Sequence, residues 1–205
     1  MLITGASSGI GRALAAEYAR RGATLGLIAR RAELLRELTA TLKVPSVFYA
    51  LDVRDAAKLA LSAEDFRTRF GGPDVVIANA GVSAGTSTER SEDRVVFQEI
   101  LDVNVVGMVN TFAPFLPAMR AGASGILVGI ASVAGFRGLP GAGAYSASKA
   151  AAIAYLESLR VELHGSGVSV VTVSRTMVSP PAVAVAVPCI VPIQVSRALM
   201  IKSGS

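Results

Sequence analysis

Several scarcities in this 205-residue sequence narrow what the protein can be. Cys189 is the single cysteine and there is one histidine, so an internal disulfide or a cysteine-based metal cluster is excluded and no metal site is expected. The 20 Lys and Arg residues outnumber the 15 Asp and Glu, yet they are scattered and form no block with interleaved aromatic residues. That scatter argues against a nucleic-acid partner and favours contacts with a small anionic cofactor.

Long apolar runs are also scarce. The longest, residues 182–195, is short for a membrane span and contains Pro188 and Pro192. The first three residues lead directly into a glycine-rich motif without a cationic leader, so no signal peptide is expected. We therefore expect a cytoplasmic protein with no membrane among its partners.

Glycine and small apolar residues are abundant instead. The sequence is 52% hydrophobic with 20 Gly and no Trp, which is typical of a buried parallel sheet with closely packed helices. The length suits one domain with a substantial core. Apolar strands alternate with helical segments, and this order predicts an α/β fold: a three-layer, doubly wound parallel sheet, Rossmann-like, of about six strands. The predicted strands are residues 2–4, 23–29, 46–51, 74–78, 124–131 and 168–173.

A glycine-rich turn follows the first predicted strand, and a helix over residues 12–21 follows the turn. Backbone N–H groups and the positive end of a helix dipole make such a turn an anion site suited to a pyrophosphate. Gly5 would permit the tight turn, Gly9 the close approach of a phosphate and Gly11 close helix–strand packing. The spacing, G-x-x-x-G-x-G, differs from the common G-x-G-x-x-G, and a flexible loop is the alternative. The cofactor-binding candidates here are Gly5, Ser7, Ser8, Gly9, Ile10 and Gly11.

The end of the second predicted strand bears on cofactor choice. In dinucleotide folds an acidic residue here binds the adenosine ribose hydroxyls, whereas arginine suits a 2′-phosphate. Here the strand ends at Ala29, Arg30 and Arg31 follow, and the first acid is Glu33. The pattern favours NADP(H) over NAD(H), the alternative being two solvated arginines that open a helix.

Two further strand ends carry candidate cofactor contacts. Asp52-Val53 follows the third predicted strand, where a carboxylate could reach an adenine amino group. Asn79-Ala80-Gly81 follows the fourth, and it is either a plain turn or the small-residue lining beneath the cofactor.

Tyr145 and Lys149 open the helix predicted from residue 143 to 163, and their four-residue spacing places them on one face. Such a pair is usually a half-buried ring and a solvated amine. A tyrosine is a poor acid or base at neutral pH, but a nearby ammonium favours the phenolate. Ser132 ends the fifth predicted strand, and strand ends are where open α/β sheets place their chemistry. Asn104 interrupts an apolar face of a helix predicted over 89–119, so it needs hydrogen-bonding partners if buried.

Together these segments resemble the classical short-chain dehydrogenase/reductase family. The resemblance covers residues 1 to about 174 in the family's order. The matching segments are Thr4-Gly5-Ala6-Ser7-Ser8-Gly9-Ile10-Gly11, Asp52-Val53, Asn79-Ala80-Gly81, Asn104, Ser132 and Tyr145-x-x-x-Lys149.

The resemblance implies hydride transfer between a nicotinamide cofactor and a carbonyl or alcohol. Tyr145 would be the general acid in reduction and the base in oxidation, and Lys149 would favour its ionised form and hold the nicotinamide ribose. Ser132 would donate a hydrogen bond to the substrate oxygen, and Asn104 would hold a water in a proton relay from Lys149. The family also implies a homodimer or homotetramer formed through the helices near 104–120 and 144–164.

The C-terminal residues depart from the family pattern. After strand six the family has a Pro-Gly turn and a Thr that contact the nicotinamide carboxamide, whereas this chain has Val173-Ser174-Arg175-Thr176-Met177. Residues 179–205 contain four prolines and no acidic residue. We expect a Rossmann-type domain over 1–178, without a seventh strand, and an atypical, poorly packed tail over 179–205.

These patterns lead to an NADP-dependent oxidoreductase as the main functional hypothesis, with the substrate open among a ketone, a steroid, an acyl thioester and a sugar alcohol. The alternatives are a cofactor-binding or regulatory relative without turnover, and an oligomeric structural partner that keeps only the fold. A nucleotide-sugar isomerase or dehydratase also uses a Tyr–Lys pair, but the glycine spacing fits it less well.

Overall fold

The computed structural model of the chain describes residues 1–175. Within that range six strands form one sheet, and every adjacent pair of strands is parallel. The strand order is β3-β2-β1-β4-β5-β6. The strands are β1 (Leu2–Thr4), β2 (Leu25–Ala29), β3 (Ser46–Ala50), β4 (Val75–Ala78), β5 (Gly125–Ser132) and β6 (Val168–Arg175).

Helices connect successive strands and cover both faces of the sheet. They are α1 (Gly9–Arg20), α2 (Ala32–Thr41), α3 (Ala56–Phe70), α4 (Asp93–Leu101), α5 (Gly107–Phe112), α6 (Leu116–Ala121) and α7 (Gly143–Glu162). The predicted doubly wound, Rossmann-like sheet is confirmed. Its strand order reverses between β1 and β4, and such a switch point leaves a crevice at the carboxyl ends of the strands.

Apolar residues fill both faces of the sheet, because consecutive strand residues point to opposite sides. Leu2 belongs to the apolar cluster that includes Phe112 and Leu156. The next residue, Ile3, belongs to the second cluster, on the side of α1 and α2. Burial on both faces explains the near-continuous apolar strands in the sequence.

Helix α3 follows its sequence signals closely. The Asp55 side chain caps it by accepting a 3.0 Å hydrogen bond from the Lys58 N–H. Gly71 ends it with a left-handed φ of +83°, a conformation that glycine adopts without steric cost.

The helix predicted over residues 89–119 is wrong as one continuous element. It begins at Asp93, passes through a π-helical turn at Asp102–Val106 and ends at Phe112, and a separate helix then starts at Leu116. Pro117 lies in the first turn of that second helix, the position in a helix that tolerates proline. The hydropathy pattern of the sequence gives no signal for the π-helical turn or for the break after Phe112.

One stretch within residues 1–175, Asp93–Phe112, is long and apolar enough to cross a membrane by length and composition alone. Core helices of globular domains pass the same test, and 39% of the relevant window is buried inside the fold. Met108 and Phe112 pack in the core against the sheet. We take the stretch as a layer of the domain.

The remaining predictions about the C-terminus lie outside the described residues. These are the domain boundary after residue 178, the atypical tail over 179–205 and the missing seventh strand.

Candidate active site

The glycine-rich turn packs tightly where β1 meets α1. Gly5 has a φ of +67°, and a Cβ there would lie 2.8 Å from Asn79 Nδ2 and 2.9 Å from Ala80 Cα. A Cβ on Gly11 would collide with the carbonyl oxygen of Gly5. Gly9 also has a positive φ, +53°, but a Cβ there would meet nothing within 4 Å. Two of the glycines are therefore required by packing, and Gly9 borders open space.

Thr4 ties the turn to the end of β4, and its side chain is fully buried. Its Oγ1 accepts hydrogen bonds from the N–H groups of Asn79 and Ala80, both at 3.1 Å. The Asn79 amide returns a 2.9 Å bond to the Thr4 carbonyl oxygen. These bonds hold the ends of β1 and β4 together at the switch point. Sequence analysis placed Thr4 in the motif but assigned it no role.

Arg31 reaches back over the glycine-rich turn. Its Nη2 donates to Ser7 Oγ at 3.1 Å and to Ser8 Oγ at 2.9 Å. Arg30, at the end of β2, makes no such contact. Within residues 1–175 no carboxylate lies within 4.0 Å of either guanidinium. Both guanidinium groups are exposed and form no ion pair within that range, and Arg31 lies directly on the turn.

Asp52 is held by a residue that sequence analysis missed. Arg54 donates to it through Nη2 at 2.7 Å and Nε at 3.1 Å. These hydrogen bonds hold the pKa of Asp52 below its ordinary value, and the charge of Arg30 acts in the same direction. An Asp followed by Arg two positions later is the sequence signal that could have indicated the pair.

Val53 is buried, and α5 holds the turn that contains it. Asn110 Nδ2 donates a 3.1 Å hydrogen bond to the Val53 carbonyl oxygen. A Cβ on Gly107 would lie 2.5 Å from Val53 Cγ2, so only glycine permits this approach. The predicted adenine-side turn is thus fixed by contacts from about 55 positions further along the chain, a spacing that no local motif reveals.

Tyr145 and Lys149 lie on the first turns of α7, as their spacing predicted. Lys149 Nζ is 5.7 Å from the centre of the Tyr145 ring and donates a 2.7 Å hydrogen bond to the Ile130 carbonyl oxygen. The lysine is only 5% exposed. Burial lowers the pKa of Lys149 to about 8, because desolvation disfavours the ammonium.

Ser132 is the last residue of β5 and is 1% exposed. Its Oγ accepts a 3.2 Å bond from the Ala134 N–H and donates a 3.1 Å bond to the carbonyl oxygen of Arg175, the residue opposite it on β6. In this conformation the hydroxyl proton of Ser132 therefore faces the neighbouring strand.

Asn104 lies in the π-helical turn, is 1% exposed, and has the partners that its burial requires. Its Oδ1 accepts from the Val82 N–H at 2.8 Å, and its Nδ2 donates to the Val82 carbonyl oxygen at 3.0 Å and to Ser148 Oγ at 2.9 Å. A Cβ on Gly81 would lie 3.2 Å from Asn104 Oδ1 and 3.7 Å from Lys149 Nζ. Asn104 and Lys149 therefore converge on the small-residue turn that follows β4.

The predicted site residues share one edge of the sheet, because the parallel strands all end there. The glycine-rich turn, Asp52-Val53, Asn79-Ala80-Gly81 and Ser132 follow the carboxyl ends of β1, β3, β4 and β5. Lys149 reaches the same edge through Ile130 near the end of β5. The arrangement can bind a dinucleotide along the strand ends and present a phenol, a hydroxyl and an ammonium to it.

The fold and this edge define an α/β protein of the dinucleotide-binding type. A family model described as short chain dehydrogenase matches residues 1–187. The chain belongs to the short-chain dehydrogenase/reductase family of oxidoreductases.

Individual relatives agree with this assignment. The chain is 43% identical over 173 residues to an uncharacterized oxidoreductase of Myxococcus xanthus, covering 82% of this chain and 68% of the relative. An alcohol dehydrogenase from Thermococcus sibiricus, complexed with 5-hydroxy-NADP, superposes with a TM-score of 0.77 at 31% identity, covering 87% and 76%. A short-chain dehydrogenase/reductase from Burkholderia phymatum in complex with NAD gives 0.81 at 31% identity, covering 86% and 65%. Both cofactor forms thus occur among similar structures.

Proposed function

We propose that the protein is an NADP-dependent oxidoreductase that transfers a hydride between the nicotinamide and a carbonyl or secondary alcohol, with Tyr145 as general acid and base. The observation that carries the proposal is the Tyr145–Lys149 pair. The lysine is buried, faces the tyrosine ring and bonds to the strand that ends in Ser132.

The residues present fit a dinucleotide. The cradle between β1, α1 and β4 has no room for a Cβ at Gly5 or Gly11, whereas Gly9 borders open space at the start of α1. Such a turn binds a pyrophosphate through backbone N–H groups and the helix dipole. When bound, the nicotinamide supplies or accepts the hydride, and Lys149 would hold its ribose.

The protein's own residues would manage the proton. In reduction, Tyr145 donates its proton to the substrate oxygen, and the ammonium of Lys149 stabilises the phenolate that remains. With a pKa of about 8, Lys149 is mostly charged at neutral pH. Ser132 would turn its proton from the Arg175 carbonyl to the substrate oxygen and stabilise charge in the transition state.

Asn104 would support the relay that returns a proton to Lys149. Both Nδ2 hydrogens are engaged, one with Val82 and one with Ser148. A relay water would therefore bind an Asn104 acceptor, either its main-chain carbonyl oxygen or the remaining lone pair of Oδ1.

The preference for NADP(H) rests on charge. Arg30 and Arg31 follow β2, and no acidic residue stands at Ala29 to receive ribose hydroxyls. Arg31 already contacts both serines of the glycine-rich turn. Within residues 1–175 neither guanidinium forms an ion pair with a carboxylate, and such groups suit a 2′-phosphate.

A second candidate function is an impaired or regulatory relative that binds the cofactor without turnover. It is favoured by the bond from the Ser132 hydroxyl to Arg175 and by the lack of Pro-Gly after β6. Fluorescence titration with NADPH and NADH, followed by turnover on a carbonyl panel, separates the two. Binding with turnover supports the oxidoreductase, binding without turnover supports the second candidate, and no binding rejects both.

We also propose a homodimer or homotetramer. Large apolar side chains remain exposed within the ranges that the resemblance assigns to subunit contacts: Val106, Val109 and Val161. Light scattering of the purified protein tests this, and a monomer at micromolar concentration would reject it.

A further inference from the structure

We infer that Ser148 is a positioning residue that holds Asn104 in register with Tyr145 and Lys149. The inference rests on the proposed function, because it assigns Ser148 a part in the same proton relay. Ser148 directly precedes Lys149 on α7 and is fully buried.

The Ser148 hydroxyl joins two elements that each carry a site residue. Its Oγ accepts a 2.9 Å hydrogen bond from Asn104 Nδ2, across 44 positions of sequence. The same hydroxyl donates a 2.7 Å bond to the Tyr145 carbonyl oxygen one turn earlier in α7. The π-helical turn is therefore bonded directly to the turn of α7 between Tyr145 and Lys149.

Ser148 and Val82 hold the Asn104 side chain to different parts of the fold. The two bonds between Asn104 and the Val82 main chain, at 2.8 and 3.0 Å, orient the amide toward the loop after β4. They do not tie it to α7. Among the side chains of residues 1–175, Ser148 supplies the hydrogen bond from Asn104 to α7. Within the same range no buried side-chain nitrogen or oxygen lacks a partner.

Removing the hydroxyl would leave one Asn104 N–H buried without an acceptor. A buried N–H without an acceptor destabilises the protein by its full desolvation free energy, unless the side chain moves or a water molecule enters to accept the bond. Either response ends the direct bond that ties Asn104 to α7, and Asn104 and Lys149 lie close together, both within 4 Å of the position that a Gly81 Cβ would occupy. The expected consequence is slower proton delivery with cofactor binding preserved.

Ser148→Ala tests this in the full chain with NADPH and a substrate that the wild type turns over. Ser158→Ala is the matched control, because Ser158 lies on α7 and its hydroxyl bonds to the exposed Glu162. For Ser148→Ala we expect kcat to fall about tenfold, with KM and the NADPH Kd within about twofold. The solvent deuterium isotope effect on kcat should rise, because proton transfer becomes more rate-limiting. The control should change none of these.

A purely structural role would instead lower the melting temperature and leave the isotope effect unchanged, and that result overturns the inference. So does a kcat within twofold of wild type. If Ser148→Ala does not fold, Ser148→Cys replaces it, since a thiol of similar size is a weaker donor and acceptor and should shift the isotope effect in the same direction.

The double variant Asn104→Ala/Ser148→Ala decides whether Ser148 acts through Asn104. It should be no slower than Asn104→Ala alone, whereas additive losses contradict the inference. If the wild type turns over substrate but Ser148→Ala shows none of the expected changes, this inference is rejected and the proposed function stands.

Discussion

The ammonium of Lys149 donates a 2.7 Å hydrogen bond to the main-chain carbonyl oxygen of Ile130 and lies 5.7 Å from the centre of the Tyr145 ring. Within residues 1–175 no carboxylate forms an ion pair with it. A buried lysine held by a neutral carbonyl keeps its charge available to a neighbouring phenol. The same burial lowers the stability of the folded state when Lys149 is charged. The effect on the phenol and the effect on stability can both be measured.

Tyr145→Phe should abolish turnover and leave NADPH binding nearly intact, because only the proton-transferring oxygen is lost. We expect kcat to fall by a factor on the order of 10³. Steady-state kinetics and fluorescence titration measure the two quantities on the same preparation. Tyr155→Phe, on the same helix, is the control and should retain activity. Full activity in Tyr145→Phe would show that the catalytic assignment is wrong.

Lys149 should make stability depend on pH in a predictable direction. Its pKa is lowered to about 8 in the fold from an ordinary value of 10.5, so between these values the unfolded chain binds more protons. Stability therefore rises as pH increases from about 8 to about 10.5. Relative to Lys149→Met, the wild type should gain a free energy of unfolding on the order of 3 kcal/mol over that window. Urea unfolding at several pH values measures it, and a constant difference between the two proteins would contradict the burial argument.

Arg30→Ala should weaken NADPH binding much more than NADH binding, since it removes a proposed partner of the 2′-phosphate. Arg31→Ala should act in the same direction and also release Ser7 and Ser8. A charge-assisted hydrogen bond contributes about 1.5–3 kcal/mol, so we expect about tenfold or more in the NADPH Kd. Arg36→Ala, an exposed arginine on α2, is the control. Equal losses of affinity for both cofactors would show that Arg30 is a solvated surface charge and not a contact of the 2′-phosphate.

Asn110→Ala should weaken NADPH and NADH equally, because Asn110 holds the Val53 turn, which the proposed binding mode places beside the adenine and away from the 2′-phosphate. The loss of one neutral hydrogen bond predicts about 0.5–1.5 kcal/mol, or a few-fold in each Kd. Competition with adenosine monophosphate gives an independent readout. A loss confined to NADPH would place Asn110 with the arginines instead.

Gly11→Ala should destabilise the fold, because the new Cβ meets the backbone of Gly5. Overpacking of this kind costs about 1–3 kcal/mol. Gly138→Ala is the control: its Cβ would meet nothing within 4 Å, and we expect a change within about 0.5 kcal/mol. Thermal unfolding compares the two, and equal melting temperatures would show that the turn adapts.

The sequence by itself determined the fold class and the order of the elements. Alternating apolar strands and helices, with Asp55 and Gly71 at the ends of α3, are local signals, and the structure follows them. Family motifs also placed the candidate site residues at strand ends, where parallel pairing brings them to one edge. The catalytic roles themselves stay predictions.

Only the tertiary structure decided which side chains pair. The Ser148 bond to Asn104, the Asn110 contact with Val53 and the choice of Arg31 as the partner of Ser7 and Ser8 all join residues between 23 and 57 positions apart. The π-helical turn at Asn104 likewise has no signal in the hydropathy pattern. Hydropathy and spacing report only which face of its own element a residue occupies. Which side chain a residue meets on another element depends on how several elements pack together. The hydrogen bond between Asn104 and α7 is therefore decided by the tertiary structure.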